Sequence, residues 1–308
     1  MSNRRRVSTP FNIRISLSGL LLLALHCTPS VAQDTVPDTS EESTIVVEGS
    51  RDLDNAREEA ERLAREQASE ITRAARRGLP LERHHLPVCP FVNGMNDAVS
   101  EFIVRRMKSN AASIGVEAGG ADCSKNIFVG LVSDVEMEVA ALLKDEAWAF
   151  GELRRYQIDR ITSETGPSRA WHVSIIGDRF GSPKKDPQGR QLERISPSGS
   201  RIVPPITQLI SGAVVLIEKA AVIGKTPQQI ADFATFRALV PVNTANPSID
   251  SILTLFRDED SPQELTDFDR AYLVAYYSDD TRNLSSENVF GTIGERYADN
   301  FDVGETSN

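Results

Sequence analysis

The chain has 308 residues, of which 40% are hydrophobic and 25% are charged, and its formal net charge at pH 7 is −10. This composition is typical of an ordinary globular protein and excludes collagen-like, coiled-coil and wholly disordered chains. The acidic balance also argues against nucleic acid as a partner, because phosphate backbones are bound by clustered Lys and Arg side chains.

The first 32 residues have the pattern of a secretory signal peptide. Four arginines lie within the first 14 residues, and an apolar run over 15–25 follows them. The segment 30–32 (Ser-Val-Ala) then offers small residues at the positions that a signal peptidase reads. The apolar run is about half the roughly 20 residues that a membrane-spanning helix needs. We therefore predict cleavage after Ala32 and a periplasmic or secreted protein with no integral membrane span, an uncleaved anchor being the alternative.

The next two segments are polar and highly charged. Residues 33–54 are rich in Asp, Glu, Ser, Thr and Pro, which predicts a disordered linker. Within it, the apolar patch 45–50 resembles the short segment by which outer-membrane receptors engage an energy-transducing protein, which implies an envelope protein partner. The alternative is a short strand or a linker remnant. Apolar residues at three- and four-residue steps then predict a charged amphipathic helix over 55–77, within a segment that closes at residue 80. This helix either lies on the main domain or extends as an interaction helix.

The segment 81–285 is predicted to form one α+β domain with a small mixed sheet and packed helices. Apolar runs predict buried strands over 126–132 and 210–217, and alternation predicts another strand over 170–176. Charged residues around 152–164 predict an exposed helix, and 178–201 reads as a long loop. Capping residues predict four further helix starts, at Asn96 or Asp97, at Ser133 with Glu136, at Thr226 with Gln229, and at Thr266 with Asp269. Residues 286–308 are expected to be a C-terminal segment with a polar tail.

Cys89 and Cys123 are the two cysteines that remain once Cys27 has left with the signal peptide. Two lone cysteines in an oxidising compartment usually pair, so we predict a structural disulfide between them. A reactive thiol is the alternative. The spacing is not that of C-x-x-C, however, and no basic cluster adjoins either cysteine to lower its pKa.

Motifs of common enzymes are missing from the sequence. It contains no H-E-x-x-H, no G-x-S-x-G, no phosphate-binding loop and no dinucleotide fingerprint. His84 and His85 are adjacent and so point to opposite sides of an extended segment, while His172 stands alone on a predicted strand. Two pairs of acids remain as weak acid–base candidates, Asp232 with Asp250 and Asp267 with Asp269. We predict no catalytic residue, no cofactor and no metal site.

Several motifs together resemble a family of secreted proteobacterial proteins that has no established activity. They cover roughly residues 80–285 and comprise 86–94 with Gly115 and Cys123, 170–173 with 212–217, and 226–234 with 265–273. The C-terminal half of this pattern is similar, more distantly, to a secreted zincin-like family with the metalloprotease fold. The resemblance implies a zincin-like domain in which a helix that follows an apolar strand carries the active-site residues.

The metal motif is absent from that helix. If Asp232 takes the place of the glutamate in H-E-x-x-H, the two ligand positions hold Ala231 and Thr235. Neither side chain binds zinc in the usual way, so the resemblance implies the scaffold without the metal. We expect a non-catalytic binding or envelope-associated module. One alternative is a hydrolase, a degenerate zincin-like peptidase with an unrecognised site, and another is an interaction protein that works through 45–50 or the 55–77 helix.

Overall fold

The computed structural model describes residues 46–73, 80–151, 153–178, 180–190, 192, 206–243, 249–257 and 260–305. For 46–52 and 301–305 it describes the helical backbone alone. The predicted signal peptide, most of the predicted linker and much of the predicted loop over 178–201 lie outside the described residues.

Five described strands form one mostly parallel sheet, and helices account for most of the remaining structure, in keeping with the predicted α+β class. The strands are β1 (Arg83–His84), β2 (Pro90–Asn93), β3 (Ile127–Val132), β4 (Ser168–Asp178) and β5 (Ile206–Glu218). Along one edge of β5 runs β4, which is antiparallel to it. On the other edge, β1 pairs in parallel with the first half of β5 and β3 with the second half. β2 extends the sheet beyond β3, again in parallel.

Seven helices are described, and three of them begin at their predicted caps. They are α1 (Val46–Ile71), α2 (Asp97–Ser113), α3 (Val135–Asp145), α4 (Arg155–Ser163), α5 (Pro227–Leu239), α6 (Asp267–Tyr277) and α7 (Ser286–Glu305). The side chains of Asn96, Thr226 and Thr266 accept from the backbone N–H three residues on. The predicted cap at Ser133 is wrong. Asp134 caps α3 instead, because its extended backbone brings the carboxylate to the Met137 amide.

Helix α5 lies at the centre of the core and is buried on every side. All residues from Gln229 to Leu239 are buried. The helix contacts α2, β4 and β5. Its Phe236 ring also lies 5.2 Å from the Tyr272 ring of α6, measured between centroids. The predicted inward face, which includes Ile230 and Phe233, is buried as expected, but the helix has no solvated face opposite it.

Helices α1 and α7 pack against each other, and both differ from their predicted extent. α1 begins at Val46, within the predicted linker, and ends at Ile71, whereas α7 continues to Glu305 through the predicted polar tail. At the contact, a Cβ atom placed on Gly294 would lie 2.6 Å from the Glu61 carbonyl oxygen, so only glycine allows this approach. The predicted charged helix therefore lies on the main domain. None of the described helices combines the length and the apolar character that crossing a membrane requires.

Candidate functional site

The two cysteines meet as predicted. Their Sγ atoms are 2.01 Å apart and their Cα atoms 5.9 Å apart. The pair joins the residue before β2 to the turn that leads into β3. The disulfide therefore links the adjacent parallel strands β2 and β3 at the ends where they begin.

Two histidines converge on the C-terminal end of α5, where a helix leaves its last carbonyl groups without internal partners. The Nε2 atoms of His84 and His172 each lie 3.0 Å from the Ala238 carbonyl oxygen. Because a carbonyl oxygen only accepts, both rings donate to it from Nε2. The Tyr277 hydroxyl donates to the next carbonyl, that of Leu239. We call His84, His172 and Tyr277 the α5 cap cluster.

The α5 cap cluster was not foreseen from the sequence, because its members come from three different elements. His84 lies on β1 and His172 on β4, and these strands flank β5 on its opposite edges. Tyr277 is the last residue of α6. Adjacent His85 takes another direction, as predicted, and its Nδ1 donates to the Ile210 carbonyl 3.1 Å away.

Burial holds both histidines of the cluster in the neutral form. It lowers the pKa of His84 to about 4. Burial, with repulsion from His84 and from the cations of Arg237 and Arg73, lowers the pKa of His172 to about 3. General bases work best with a pKa near the operating pH, so these rings are poorly tuned for proton transfer at neutral pH. Their geometry and their electrostatics are those of helix caps.

A buried ion-pair network lies beside the cluster. Arg237 of α5 is 1% exposed and contacts Glu164 at 2.9 Å, and Arg73 contacts the same carboxylate at 2.7 Å. Burial alone would raise the pKa of Glu164, but the two arginines outweigh it and the pKa is lowered. The network therefore keeps Glu164 charged and fastens the end of α4 to α5.

Asp232 lies inside the core and not in a cleft. Its carboxylate accepts from Arg106 Nε and Nη2, both at 2.8 Å, from Asn110 Nδ2 at 2.6 Å and from the Leu265 amide at 3.0 Å. Asp232 is fully buried. These donors occupy the carboxylate on several sides, so Asp232 links α5 to α2 and to the segment that precedes α6.

The two positions that would hold zinc in the resembled motif, 231 and 235, are also engaged in packing. Ala231 is fully buried, and the Thr235 hydroxyl donates to the Ala231 carbonyl at 2.7 Å. Asn110 Nδ2 lies 3.2 Å from the same hydroxyl. Within the part of the chain that the structure describes, no group of three or more His, Cys, Asp or Glu side chains is arranged to hold a metal ion.

The predicted acid pairs occupy contrasting environments. Asp250 and Asp267 are exposed, while Asp232 and Asp269 are buried. Asp269 accepts from the Ser251 hydroxyl and from the amides of Ile252 and Thr266. Burial raises the pKa of Asp269 to about 6, although those hydrogen bonds act in the other direction. Each pair thus combines a structural acid with a solvated one.

Glu82 and Ser174 form a polar pair beside a pocket near the α5 cap cluster. The Ser174 hydroxyl donates to Glu82 Oε2 at 2.7 Å. Glu82 lines a pocket of about 70 Å³ together with Trp171 and His172. Burial raises the pKa of Glu82 above its ordinary value. A partly buried carboxyl with a raised pKa is a recognised feature of acid–base sites, although structural groups show it too.

Comparison with protein-family models, with curated proteins and with solved structures found no match to this chain.

Proposed function

We propose that this protein is a non-catalytic binding module of the cell envelope. The observation that carries the proposal is the Asp232 carboxylate, which is enclosed by Arg106, Asn110 and the Leu265 amide. A catalytic acid has to reach substrate or water, and this one is held by structural donors. The helix that would carry the active site therefore serves the core.

The proposal keeps the zincin-like scaffold that the resemblance implies. In support, β5 is an apolar strand with an antiparallel neighbour on its edge, and α5 follows β5 in the chain. If α5 is the helix of the resembled motif, its ligand positions hold Ala231 and Thr235. A fold can be kept while its activity is lost, since function depends on the site and not on the scaffold.

Location in the envelope is a further part of the proposal. The signal-like pattern of the first 32 residues supports export. The Cys89–Cys123 pair agrees with an oxidising compartment. N-terminal sequencing of the mature protein is expected to begin at Gln33, and recovery of intact Met1 from the cytoplasm would contradict export.

Non-catalytic character is tested on the purified mature protein. We expect no stoichiometric zinc by elemental analysis and no peptidase or esterase activity that a chelator removes. One tightly bound zinc per chain that is lost together with activity would overturn the proposal.

A hydrolase is the second candidate, and Glu82 is the residue that favours it. Its raised pKa and its place in the pocket beside Ser174 suit a general acid. The same activity screen, repeated with Glu82→Gln, decides between the two. Activity that disappears in Glu82→Gln supports the hydrolase, whereas a screen without activity supports the binding module.

A further inference from the structure

A cleft of about 460 Å³ opens between the β1 segment, the beginning of β5, and helices α6 and α7. Its volume lies within the roughly 300–1,000 Å³ of typical small-molecule sites. It is separate from the buried Asp232 network, which does not contribute to its walls. The cleft is therefore a site for which the fold has made room and which the core does not fill.

Positive charge predominates in the walls of the cleft. Arg83, Arg282 and Arg296 line it, and the acidic side chains in its walls are those of Glu117 and Asp279. Asp279 forms an ion pair with Arg282, and Glu117 is exposed. This excess of arginine stands out in a chain whose net charge is −10. A concave surface with an excess of one sign attracts ligands of the other sign.

Two arginines of the cleft have buried donors without acceptors. The Nε atoms of Arg83 and Arg296 are buried and have no hydrogen-bond partner among the described residues. Arg83 does use its other nitrogens, which donate to the Ser278 carbonyl at 3.0 Å and to the Thr281 hydroxyl at 2.8 Å. For Arg296, no described residue serves as acceptor or ion-pair partner. A buried donor without an acceptor is costly, and an anionic oxygen is the acceptor that suits a guanidinium best.

Part of the remaining wall is apolar. Leu81, Val116, Leu209 and Val274 line the cleft, and the Tyr277 ring adjoins them. An inorganic ion would leave this surface and most of the volume unused. A ligand that satisfies both parts of the cleft carries a negative head and an apolar body.

We propose that this cleft binds a small organic anion. Its carboxylate or phosphate group is held by Arg296 and Arg282, and its apolar part lies against the wall that includes Val116 and Leu209. The inference rests on the proposed binding function and gives it a ligand class. Arginine forks hold both carboxylate and phosphate through paired N–H donors, so the two headgroups share one chemistry.

Calorimetry on the full mature protein tests the ligand class with four probes. Hexanoate and hexyl phosphate carry the two anionic heads, hexanamide is the neutral match of hexanoate, and inorganic phosphate has no apolar body. At least one hexyl anion is expected to bind about tenfold or more tightly than both hexanamide and inorganic phosphate, a difference of about 1.4 kcal/mol. Binding of hexanamide or of inorganic phosphate as tight as that of the better hexyl anion, or no binding of either hexyl anion at millimolar concentration, would overturn the proposal.

Two variants test whether the anion binds in this cleft. Arg296→Gln is expected to weaken binding of the preferred anion about tenfold, and Arg105→Gln is the matched control. Arg105 has a side chain 67% exposed on α2 and does not line the cleft, so its loss changes the net charge equally. If circular dichroism shows that Arg296→Gln is unfolded, Arg282→Gln replaces it, because its side chain is 46% exposed. Equal weakening by Arg105→Gln, or none by the folded cleft variant, would refute the site.

Failure of this inference is distinguishable from failure of the proposed function. If no anion binds, the cleft is not the site, and the non-catalytic proposal stands on its own activity screen. If a bound anion is converted to product, as followed by NMR, the site stands and the non-catalytic proposal fails.

Discussion

Arg106 and Asp232 show how one residue pair joins two helices across the core. The carboxylate is 0% exposed, whereas the guanidinium side chain is 25% exposed and also contacts Glu264. Hydrogen bonding and attraction by Asp232 raise the pKa of Arg106 above its ordinary value. The guanidinium of Arg106 therefore remains charged.

Loss of the guanidinium is expected to destabilise the protein strongly. Arg106→Met leaves the Asp232 carboxylate buried with Asn110 and the Leu265 amide as remaining donors, and we expect the free energy of unfolding to fall by about 3 kcal/mol. Arg105→Met, at the preceding position, removes an exposed ion pair with Glu101 and is expected to lower the free energy of unfolding by less than about 1 kcal/mol. Urea unfolding of both variants measures the difference, and equal losses would contradict a structural role for Asp232.

His172 is expected to make stability depend on pH. Burial holds its folded-state pKa at about 3, below the ordinary value of 6.5. Between these values the unfolded chain binds more protons, so stability is full above about pH 6.5 and falls as the pH decreases. The pKa of His84 is lowered to about 4, so His84 also makes stability fall as the pH decreases. The pKa of Asp269 is raised to about 6, so Asp269 has the opposite effect on stability.

The variant His172→Gln isolates this effect, because its amide can place a donor where Nε2 meets the Ala238 carbonyl and does not titrate. Between pH 7 and pH 5 the wild type is expected to lose up to about 2 kcal/mol more free energy of unfolding than the variant. Chemical unfolding at the two pH values measures it. Parallel pH curves for the two proteins would show that His172 is not held neutral by burial.

At the level of elements, the α1–α7 contact leaves little room for added volume. A Cβ on Gly294 would lie 2.6 Å from a backbone oxygen of α1, whereas a Cβ on Gly291 of the same helix meets nothing within 4 Å. Alanine is the better helix former at both positions. The two glycines therefore separate helix propensity from interhelical contact.

Opposite effects are expected from the two alanine substitutions. Gly291→Ala is expected to raise the free energy of unfolding by up to about 1 kcal/mol, because it reduces the entropy lost by the backbone. Gly294→Ala is expected to lower it by about 1–3 kcal/mol, because the helices must move apart. Thermal unfolding of both variants is the measurement, and stabilisation by both would mean that α1 does not approach Gly294 this closely.

The elements that the sequence predicts well carry their signal locally. Thr226 and Gln229 bond each other as a capping box, so the start of α5 depends on four neighbouring residues. α7 was missed because its apolar residues, such as Val289 and Ile293, are sparse among polar ones and are buried through tertiary packing.

The candidate sites were harder to foresee than the elements, since their members are distant in sequence. His84 and His172 share the Ala238 carbonyl only because β1 and β4 lie on opposite edges of β5. The donors to Asp232 likewise come from α2 and from the segment before α6, and the arginines of the cleft come from three separate segments. The sequence did predict the disulfide, since the small number of cysteines leaves one pairing.

For the whole molecule, the burial of α5 on every side predicts a gradient of local stability. Exposure of its amides requires the core to open, so hydrogen exchange over 231–239 is expected to proceed through global unfolding. α4 has Ile161 as its buried residue and is expected to exchange faster through local opening. Exchange measured by mass spectrometry or NMR compares the two helices, and equal rates would contradict a central role for α5.

The position of β5 in the chain also sets the order in which the molecule can be assembled. β1, β3 and β4 all pair with β5, yet β5 is the last of the described strands to be synthesised. While a ribosome or an export channel still holds residues 206–218, β1 and β4 lack their strand partner and β3 can pair with β2 alone. Pairings between distant segments also form slowly. The apolar surfaces of these strands then stay open to aggregation or to a chaperone. A chain that stops at residue 205 is expected to lack cooperative unfolding and to remain accessible to protease, and the addition of residues 206–308 is expected to restore both properties.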